Sequence, residues 1–277
     1  MTTQDYSSWI GRSETYADNL DIGHVSQIAL ALGRPAPVEG GPLPHLWLWA
    51  HFVRGQVYEE LGRDGHPAQG SFLPPLGERN RMWAGGRVRF HQPLRVGTPA
   101  ERRSTILAIR EKQGRTGTLL FFTVQHDYVQ NGEVCVSEEQ DIVYRAPTPP
   151  KLEGSTESPR RQWAVTVEPS TVMLFRYSAV TFNGHRIHYD LDYVTKQEGY
   201  PGLVVHGPLI ATRMLQAFID AHPDREPVSF SYRGLRPLIA PRPFEVAGAL
   251  RGDDTANLWA EQDGTVAHQA ELVFKNS

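Results

Sequence analysis

The sequence predicts an α+β protein of two related halves, in each of which an antiparallel sheet curls around a helix. Three observations support this prediction. A polar, proline-rich segment divides the chain, a short motif recurs at one fixed spacing on either side of it, and each half ends in three consecutive strand-like runs. The length of 277 residues is enough for about two domains. A chain of this size can bury a core that needs no disulfide or metal to fold.

The dividing segment comprises residues 146–162, APTPPKLEGSTESPRRQ, and contains almost no large apolar residue. Its composition predicts a surface linker between an N-terminal half, residues 1–145, and a C-terminal half, residues 163–277. Five residues of the first half recur 144 positions later, which supports a repeat. They are Arg89, Pro93, Leu94, Pro99 and Glu101, matched by Arg233, Pro237, Leu238, Pro243 and Glu245.

Each half is predicted to end in an antiparallel meander. Asn131-Gly132 and Asp263-Gly264 separate the last two strand-like runs of each half. Such pairs are the strongest short-range signal for a tight hairpin, because both residues adopt positive φ at little cost. The predicted strands are 100–111, 118–128 and 134–144 in the first half and 244–251, 257–262 and 265–274 in the second.

A helix over residues 208–221 is predicted to fill the second half. Its polar side chains, Arg213, Gln216 and Asp220, are spaced by three and four residues, so only one narrow stripe faces water. Pro208 suits the first helical position, and Gly207 is a plausible cap. We therefore expect this helix to be wrapped by the sheet on most sides.

The first half contains an apolar stretch over residues 43–61, LPHLWLWAHFVRGQVYEEL, which we expect to be the counterpart of that helix. A shorter helix is predicted over residues 21–32. Gly33 and Pro35 follow it and are typical helix stops.

The composition excludes several classes of protein. A net charge of −3 and a pI near 6.4 argue against nucleic-acid binding. Cys135 is the single cysteine, so no internal disulfide and no cysteine-based zinc site can form. No apolar run reaches about 18 residues, and residues 1–11 lack an apolar signal core, so we expect a cytoplasmic protein. The 24 arginines against 4 lysines suggest a bacterial source. Walker, dinucleotide, zinc-protease and serine-hydrolase motifs are absent.

The reactive polar side chains concentrate in residues 176–192, just before the buried helix. A second segment, 199–207, ends in His206 and Gly207 and leads directly into that helix. Within thirteen residues the first segment holds Ser178, Thr181, Asn183, His185, His188 and Asp190.

These two segments resemble the signature of the MaoC-like, R-specific enoyl-CoA hydratases, roughly Tyr-x-Leu-Ser-Gly-Asp-x-Asn-Pro-Leu-His-x-Asp followed by a His-Gly or Gln-Gly pair. Residues 181–190 fit that frame without gaps. They resemble most the branch that contains mitochondrial-type hydroxyacyl-thioester dehydratases and bacterial mesaconyl- or itaconyl-CoA hydratases, and residues 82–94 are similar to its N-terminal half. The resemblance covers most of the chain and implies a double hotdog, two tandem curved antiparallel sheets, each wrapped around a central helix.

The match departs from the family at its acid–base pair. The family's catalytic Asp, five residues before the His, is Asn183 here, whereas His188 keeps the His position. His185 stands where the family has Asn, Arg186 where it has Pro, and Asp190 matches the family's last Asp. An amide cannot take a proton as a carboxylate can, so the usual two-residue scheme lacks one member.

The resemblance implies hydration of a 2-enoyl thioester, which needs a base for the water and hydrogen-bond donors for the thioester oxygen. His188 is the candidate base, because a histidine pKa is ordinarily about 6.5. Gly207, at a helix N-terminus, is the candidate oxyanion donor. Asn183 could position the water. The alternatives are a structural His188, an Asn183 that only forms a turn, and a Gly207 that only caps the helix.

A metal set of His185, His188 and Asp190 is a further alternative, disfavoured because no fourth ligand accompanies it. We expect no metal and no cofactor besides the coenzyme A of the substrate. Arginines suit CoA phosphates because their planar fork donates bidentately. The candidates are Arg87, Arg89, Arg233 and Arg236.

The resemblance favours a small branched dicarboxylyl-CoA, mesaconyl- or itaconyl-CoA, as the substrate. Arg186 is the candidate partner of its second carboxylate, and His185 and His206 are candidates for further substrate contacts. We expect neither nucleic acid nor membrane as a partner, and a homodimer is possible. The alternative functions are a hotdog thioesterase and a non-catalytic protein that binds acyl thioesters.

Overall fold

The structure, a computed structural model, describes residues 6–53, 55–66, 72–77, 79–114, 117–154 and 156–276. The helices in this part of the chain are α1 (Ile22–Leu32), α2 (Thr171–Val180), α3 (Leu191–Lys196) and α4 (Gly207–Ala221). The strands are β1 (Ser13–Asp18), β2 (Asn80–Phe90), β3 (Ala100–Gly114), β4 (Gly117–Gln130), β5 (Glu133–Arg145), β6 (Trp163–Val167), β7 (Arg225–Gly234), β8 (Phe244–Leu250), β9 (Thr255–Gln262) and β10 (Thr265–Asn276).

All ten strands form one antiparallel sheet in the order β1-β3-β4-β5-β2-β7-β10-β9-β8-β6. The first five positions belong to the N-terminal half and the last five to the C-terminal half. The two predicted sheets are therefore joined edge to edge, through β2 and β7. Both predicted meanders are present, as β3-β4-β5 and β8-β9-β10.

The two predicted hairpin turns are confirmed. Asn131 and Gly132 have φ of 54° and 83° between β4 and β5, and Asp263 and Gly264 have φ of 56° and 72° between β9 and β10. Two successive positive φ values give the local twist that matches two antiparallel strands. The turns thereby fix the register of β4 with β5 and of β9 with β10.

The predicted buried helix is confirmed as α4. Leu209, Ile210, Leu215 and Phe218 are at most 1% exposed, because the strands of the C-terminal half curve around the helix. Burying each such side chain contributes about 1.5–3 kcal/mol to folding. The predicted polar stripe is the part that reaches solvent, where Asp220 pairs with Arg34 at 2.7 Å.

The predicted counterpart helix over residues 43–61 is wrong. The described part of this stretch forms two 3₁₀ turns, Trp47–Ala50 and Tyr58–Glu60. Leu46 and Phe52 adopt left-handed φ values of 66° and 55°, which a right-handed helix cannot contain. The Asp18 carboxylate accepts the Phe52 N–H at 2.8 Å, so a tertiary contact holds this turn.

The shorter predicted helix is confirmed as α1. The Asp21 carboxylate accepts the N–H groups of Gly23 and His24, and Gly33 ends the helix in the left-handed conformation. The inner side chains of α1, Val25, Ile28 and Leu32, share one hydrophobic core with α4 and with residues of both half-sheets. Both halves therefore pack around a common core.

Strand β5 ends at Arg145 and β6 begins at Trp163, so the predicted linker lies between two strands. Within it, Glu157 makes an isolated bridge to Thr265, and Arg161 pairs with Glu245. Residue 155 lies outside the described part of the chain, as do residues 1–5 of the polar N-terminus. The division into two domains stays a prediction.

Among the described residues no helix is both long enough and apolar enough to cross a membrane.

The junction of the two half-sheets predicts a stability effect. A Cβ at residue 86 would lie 2.5 Å from the Tyr232 hydroxyl and 2.6 Å from the Glu139 carbonyl oxygen, so Gly86→Val overpacks the contact between β2 and β7. We expect a loss of about 1–3 kcal/mol in the free energy of unfolding, measured by urea denaturation. Gly252→Ala is the matched control, because a Cβ there meets nothing closer than 3.7 Å. Equal stability of the two variants would contradict the importance of this junction.

Candidate functional site

A cavity of about 550 Å³ lies between the two halves, and both halves line it. The C-terminal half contributes three predicted residues, Asn183, His188 and Gly207, to one wall. The N-terminal half contributes Trp83 and several polar side chains. The sequence motif and the first half-sheet therefore meet at one place.

His188 sits at the end of a short 3₁₀ turn, Arg186–His188, and is only 7% exposed. Its Nδ1 lies 2.7 Å from the carbonyl oxygen of Val204, so Nδ1 carries the proton and donates it. Nε2 is then the nitrogen with the lone pair. Burial lowers the pKa of His188 to about 4, although the bond to Val204 opposes the shift. His188 is therefore a neutral imidazole at pH 7, the form a general base requires.

His206, predicted to contact the substrate, is buried beside His188 and is not among the residues that line the cavity. The two imidazoles stack with centroids 3.6 Å apart and planes within 18°. Its Nε2 lies 2.8 Å from the Ser178 hydroxyl. Burial, and the neighbouring His188, lower the pKa of His206 well below its ordinary value. The neutral imidazole of His206 thus holds the His188 ring in one plane by stacking on it.

Asn183 follows the end of α2 and lines the cavity. Its Oδ1 accepts the backbone N–H of His185 at 3.0 Å, so the predicted turn is present. Asn183 therefore forms the turn and lines the cavity at the same time. Its oxygen is used in the turn, and its amide nitrogen remains to contact a ligand.

Gly207 is the first residue of α4 and lies on the cavity wall. A Cβ at this position would lie 2.5 Å from Cε3 of Trp83, so no larger residue fits without displacing the indole. The first N–H groups of a helix have no intrahelical acceptor and carry positive dipole character. Pro208 has no N–H, so the Gly207 N–H is the first donor of the helix.

Trp83 is held in place by a chain of contacts across the junction. Its ring stacks on Tyr232 with centroids 4.6 Å apart. The Tyr232 hydroxyl donates to the buried carboxylate of Glu138, which also accepts from Trp49 and Tyr128. Burial raises the pKa of Glu138. These contacts fix the indole that closes the cavity over Gly207.

Arg186, predicted as the partner of a substrate carboxylate, is not among the residues that line the cavity. Its guanidinium donates to Asp190 at 2.7 Å and lies 4.1 Å from the centre of the Tyr193 ring. Asp190 also accepts the Tyr193 N–H, and so caps α3. His185, His188 and Asp190, the alternative metal set, do not form a ligand grouping among the described residues.

Three of the arginines predicted to bind CoA lie outside the cavity wall. Arg87 pairs with Glu139 and Asp141, and Arg89 and Arg233 are exposed. They alternate with the buried Val88 and Tyr232 along β2 and β7, and so occupy the outer face of the sheet. Arg236 does line the cavity, with its guanidinium 2.6 Å from the Gln262 carbonyl oxygen.

The cavity contains cations that the sequence analysis missed. Arg81 shares the inner face of β2 with Trp83, two residues along the strand. The period of two in a strand was the signal that could have indicated it. Besides Arg81 and the predicted Arg236, the cations on the cavity wall are Arg102, Arg145 and Lys151.

Asp64 and His66 also line the cavity, beside the predicted His185, and neither was predicted from the sequence. Ligand atoms of these three residues lie within 4.8 Å of one another, a grouping that could accept a divalent cation. Both Asp64 oxygens already face His66, one its backbone N–H at 3.0 Å and the other its Nδ1 at 3.1 Å. The Asp64 carboxylate therefore accepts hydrogen bonds from His66 with both oxygens, and we assign no metal to the cluster.

Comparison with known proteins identifies relatives over nearly the whole chain. A family model described as hydroxyacyl-thioester dehydratase type 2 matches residues 45–240. The chain is 44% identical over 262 residues to the mesaconyl-C(4)-CoA hydratase of Chloroflexus aurantiacus, covering 91% of this chain and 92% of that protein. It is 29% identical over 243 residues to the mitochondrial hydroxyacyl-thioester dehydratase type 2 of Schizosaccharomyces pombe, covering 78% and 79%.

A solved structure of a MaoC-like dehydratase from Phytophthora capsici superposes with a TM-score of 0.71 at 16% identity, covering 96% of this chain and 97% of that one. This likeness confirms the predicted double hotdog fold. The family model spans well over half of the chain, and one relative matches nearly all of it. The chain therefore belongs to the hydroxyacyl-thioester dehydratase type 2 family, and it is an enzyme of the predicted hydratase and dehydratase class.

Proposed function

We propose that the protein adds water reversibly across the 2,3 double bond of a small branched dicarboxylyl-CoA such as mesaconyl- or itaconyl-CoA. The observation that carries the proposal is the pairing, on one cavity wall, of a buried neutral imidazole, His188, with the free N-terminus of α4 at Gly207. A hydratase needs these two features, a base for the water and a donor for the thioester oxygen.

The chemistry follows from where charge develops. As the water oxygen bonds to C3, Nε2 of His188 takes the water's proton and negative charge moves to the thioester oxygen. The Gly207 N–H stabilises that oxygen within a cavity where few waters compete. The Asn183 amide orients the water or the thioester without changing its own charge. His206 keeps the His188 ring in one plane throughout.

The dicarboxylate proposal rests on the relative named mesaconyl-C(4)-CoA hydratase and on the cations of the cavity. A carboxylate that enters a water-poor cavity needs a cationic partner, because an unpaired buried charge costs several kcal/mol. Arg81 is placed to supply it: it lies about 7 Å along β2 from Trp83, the residue in contact with Gly207. Arg81 thus takes the role that the sequence analysis gave to Arg186.

The CoA moiety would meet the cations at one edge of the cavity. Lys151 and Arg236 both line it, and Cδ of Arg236 lies close to Gly154 of the segment that contains Lys151. Two cations on the cavity wall suit the phosphates of CoA. In this proposal Arg236 keeps its predicted role, and Lys151 replaces the arginines of the outer face.

Further parts of the proposal concern the setting of the enzyme. We propose a bacterial, cytoplasmic enzyme of itaconate or mesaconate metabolism that uses no cofactor beyond the CoA of its substrate and forms a homodimer. The high ratio of arginine to lysine supports the bacterial source. Gel filtration with light scattering would test the dimer, and a single species of about 31 kDa would contradict it.

His188→Ala should lower kcat by about a hundredfold or more, because the base for water is lost. Turnover is measured as the loss of enoyl absorbance at a fixed CoA ester concentration. His91→Gln is the matched control, since the His91 side chain is exposed, lies outside the cavity lining and hydrogen-bonds the Ser137 hydroxyl at 3.1 Å. A folded His188→Ala enzyme with near-normal turnover would show that another group activates the water.

Asn183→Ala should lower kcat by about tenfold or more, while Asn183→Asp should retain activity. The Asp variant keeps an oxygen acceptor for the His185 N–H and restores the carboxylate that the MaoC-like signature contains. The same absorbance assay compares the two variants. Full activity of Asn183→Ala would limit this side chain to forming the turn.

A branched dicarboxylyl-CoA should exceed crotonyl-CoA in kcat/KM by more than about tenfold, equivalent to roughly 1.4 kcal/mol. Arg81→Gln should remove that preference, whereas Arg186→Ala should keep it, because Arg186 pairs with Asp190 outside the cavity. Equal kcat/KM values for the two esters in the wild type would end the dicarboxylate proposal and leave the hydratase intact. Release of free thiol in place of enoyl loss would instead indicate a thioesterase.

A further inference from the structure

A turn of the N-terminal half, residues 62–66, is pressed against the catalytic segment of the C-terminal half. The Arg186 N–H donates to the Asp64 carbonyl oxygen at 2.9 Å, and the Arg186 guanidinium donates to the Arg63 carbonyl oxygen at 3.0 Å. Gly65, with φ of 86°, approaches the Gly184 carbonyl oxygen so closely that no Cβ fits between them. These contacts hold residues 62–66 of the first half against residues 184–186, so side chains of the turn line the cavity.

The side chains that this turn delivers are a carboxylate and an imidazole. His66 Nδ1 lies 3.1 Å from Asp64 Oδ2, so Nδ1 carries the proton and Nε2 carries the lone pair. The His66 ring centre lies 4.2 Å from that of His185, which lies 5.4 Å from that of His188. Three imidazoles thus form a continuous row along the cavity wall.

The chemistry of hydration requires a place for one proton. The proton that leaves the water must stay in the site until C2 accepts it. His188 holds it poorly, because its Nδ1 partner is the neutral carbonyl of Val204 and burial lowers its pKa to about 4. Asn183 cannot hold it, because an amide does not ionise. A carboxylate–imidazole pair can, since the carboxylate stabilises the imidazolium that forms.

We propose that His66, held by Asp64, is a further catalytic residue, which keeps the proton taken from water and returns it to C2 of the acyl chain. This inference rests on the proposed hydration function. His66 acts directly on the reacting carbon, whereas Asp64 is a positioning residue that acts through His66. The Asp64–His66 pair thus takes the acid–base role of the family's catalytic Asp, which is Asn183 in this chain.

The steps balance without any oxidant or reductant. One O–H bond of water breaks, its proton moves to Nε2 of His188, and the oxygen forms the C3–O bond while the π pair moves to the thioester oxygen. The proton passes through His185 to Nε2 of His66, which becomes an imidazolium beside the Asp64 carboxylate. The enolate electron pair then forms the C2–H bond with that proton. In dehydration His66 removes the C2 proton.

The charges around His66 determine its response to pH. Burial holds the pKa of His66 below its ordinary value, and the charge of Arg81 lowers it as well, although the hydrogen bond and charge of Asp64 oppose the shift. His185, the third neighbour, has a pKa that burial and His66 lower well below its ordinary value. Hydrogen bonds from His66 lower the pKa of Asp64 well below its usual range, although burial opposes the shift, so Asp64 is ionised at pH 7.

Two variants test the proposal. His66→Gln should lower kcat for hydration by about a hundredfold or more, with little change in KM, because a proton carrier is lost and not a binding contact. Asp64→Asn should lower kcat and move the acid limb of the pH–kcat profile to lower pH, because removing the carboxylate lowers the pKa of His66 further. A merely structural Asp64 would lower the amount of active enzyme and leave the position of that limb unchanged.

The chain offers a matched control in a second Asp–His pair. His51 Nδ1 lies 3.2 Å from Asp18 Oδ1, and neither residue lines the cavity. Asp18→Asn should lower the thermal midpoint, because Asp18 also holds the Leu20 and Phe52 N–H groups. The pH–kcat profile of the folded Asp18→Asn enzyme should coincide with that of the wild type.

The outcomes separate the inference from the function on which it rests. An active wild type with a His66→Gln variant within about threefold of its kcat would overturn the inference alone. A reduced Asp64→Asn enzyme with an unmoved acid limb would do the same. Loss of wild-type activity on prolonged chelation, restored by Zn²⁺, would replace the proton carrier with a metal site. A wild type that hydrates no enoyl-CoA would overturn the proposed function, and with it the inference.

Discussion

The site depends on the pairing of β2 with β7, the contact that joins the two half-sheets. Gly85 and Gly86 lie opposite Arg233 and Tyr232 there, and a side chain on either glycine would collide with the opposing strand. The pairing stacks Trp83 on Tyr232 and places its ring against Gly207. Gly207 of the second half, the proposed oxyanion donor, thus lies against a residue of the first half. Neither half contains a complete site by itself.

The same junction explains the electrostatic character of the cavity. Among the described residues, burial keeps its imidazoles neutral, and its charged side chains are five cations and three carboxylates. Three of the cations, Arg81, Arg102 and Arg145, lie on strands of the first half-sheet. Neutral imidazoles can exchange a proton without first losing one to solvent. The cations on the cavity wall would attract an anionic thioester with its phosphates and carboxylates. Neutral imidazoles beside cations agree with the membership of the chain in a family of thioester dehydratases.

The parts of the fold that could be predicted are those that local sequence determines. Asn131-Gly132 specifies its hairpin because the two residues tolerate positive φ, and Asp21 and Gly33 cap α1 from within a dozen residues. The stretch 43–61 could not be predicted, because the apolar pattern is interrupted at Leu46 and Phe52 by left-handed backbone. The Asp18 carboxylate that holds Phe52 lies 34 residues away along the chain.

The residues of the candidate site likewise divide into those that local sequence indicates and those that distant contacts bring in. The sequence could indicate His188, Asn183 and Gly207, which line the cavity, because they lie in one motif and at the start of the helix that follows it. Asp64 and His66 are about 120 residues earlier, and nothing local shows that their turn packs against residues 184–186. The position of Arg186 outside the cavity lining could have been expected from the sequence. Asp190 is four residues ahead, the spacing at which oppositely charged side chains pair.

The most direct test of the central claim, that this cavity performs hydration, is to follow the atoms of water. The enzyme is incubated with a dicarboxylyl enoyl-CoA in D₂O, and the products are examined by mass spectrometry and NMR. We expect an intact 3-hydroxyacyl-CoA with one carbon-bound deuterium, at C2, because the proton that His188 takes from water ends on that carbon. Free coenzyme A with an unreacted double bond in the released acid would contradict the account.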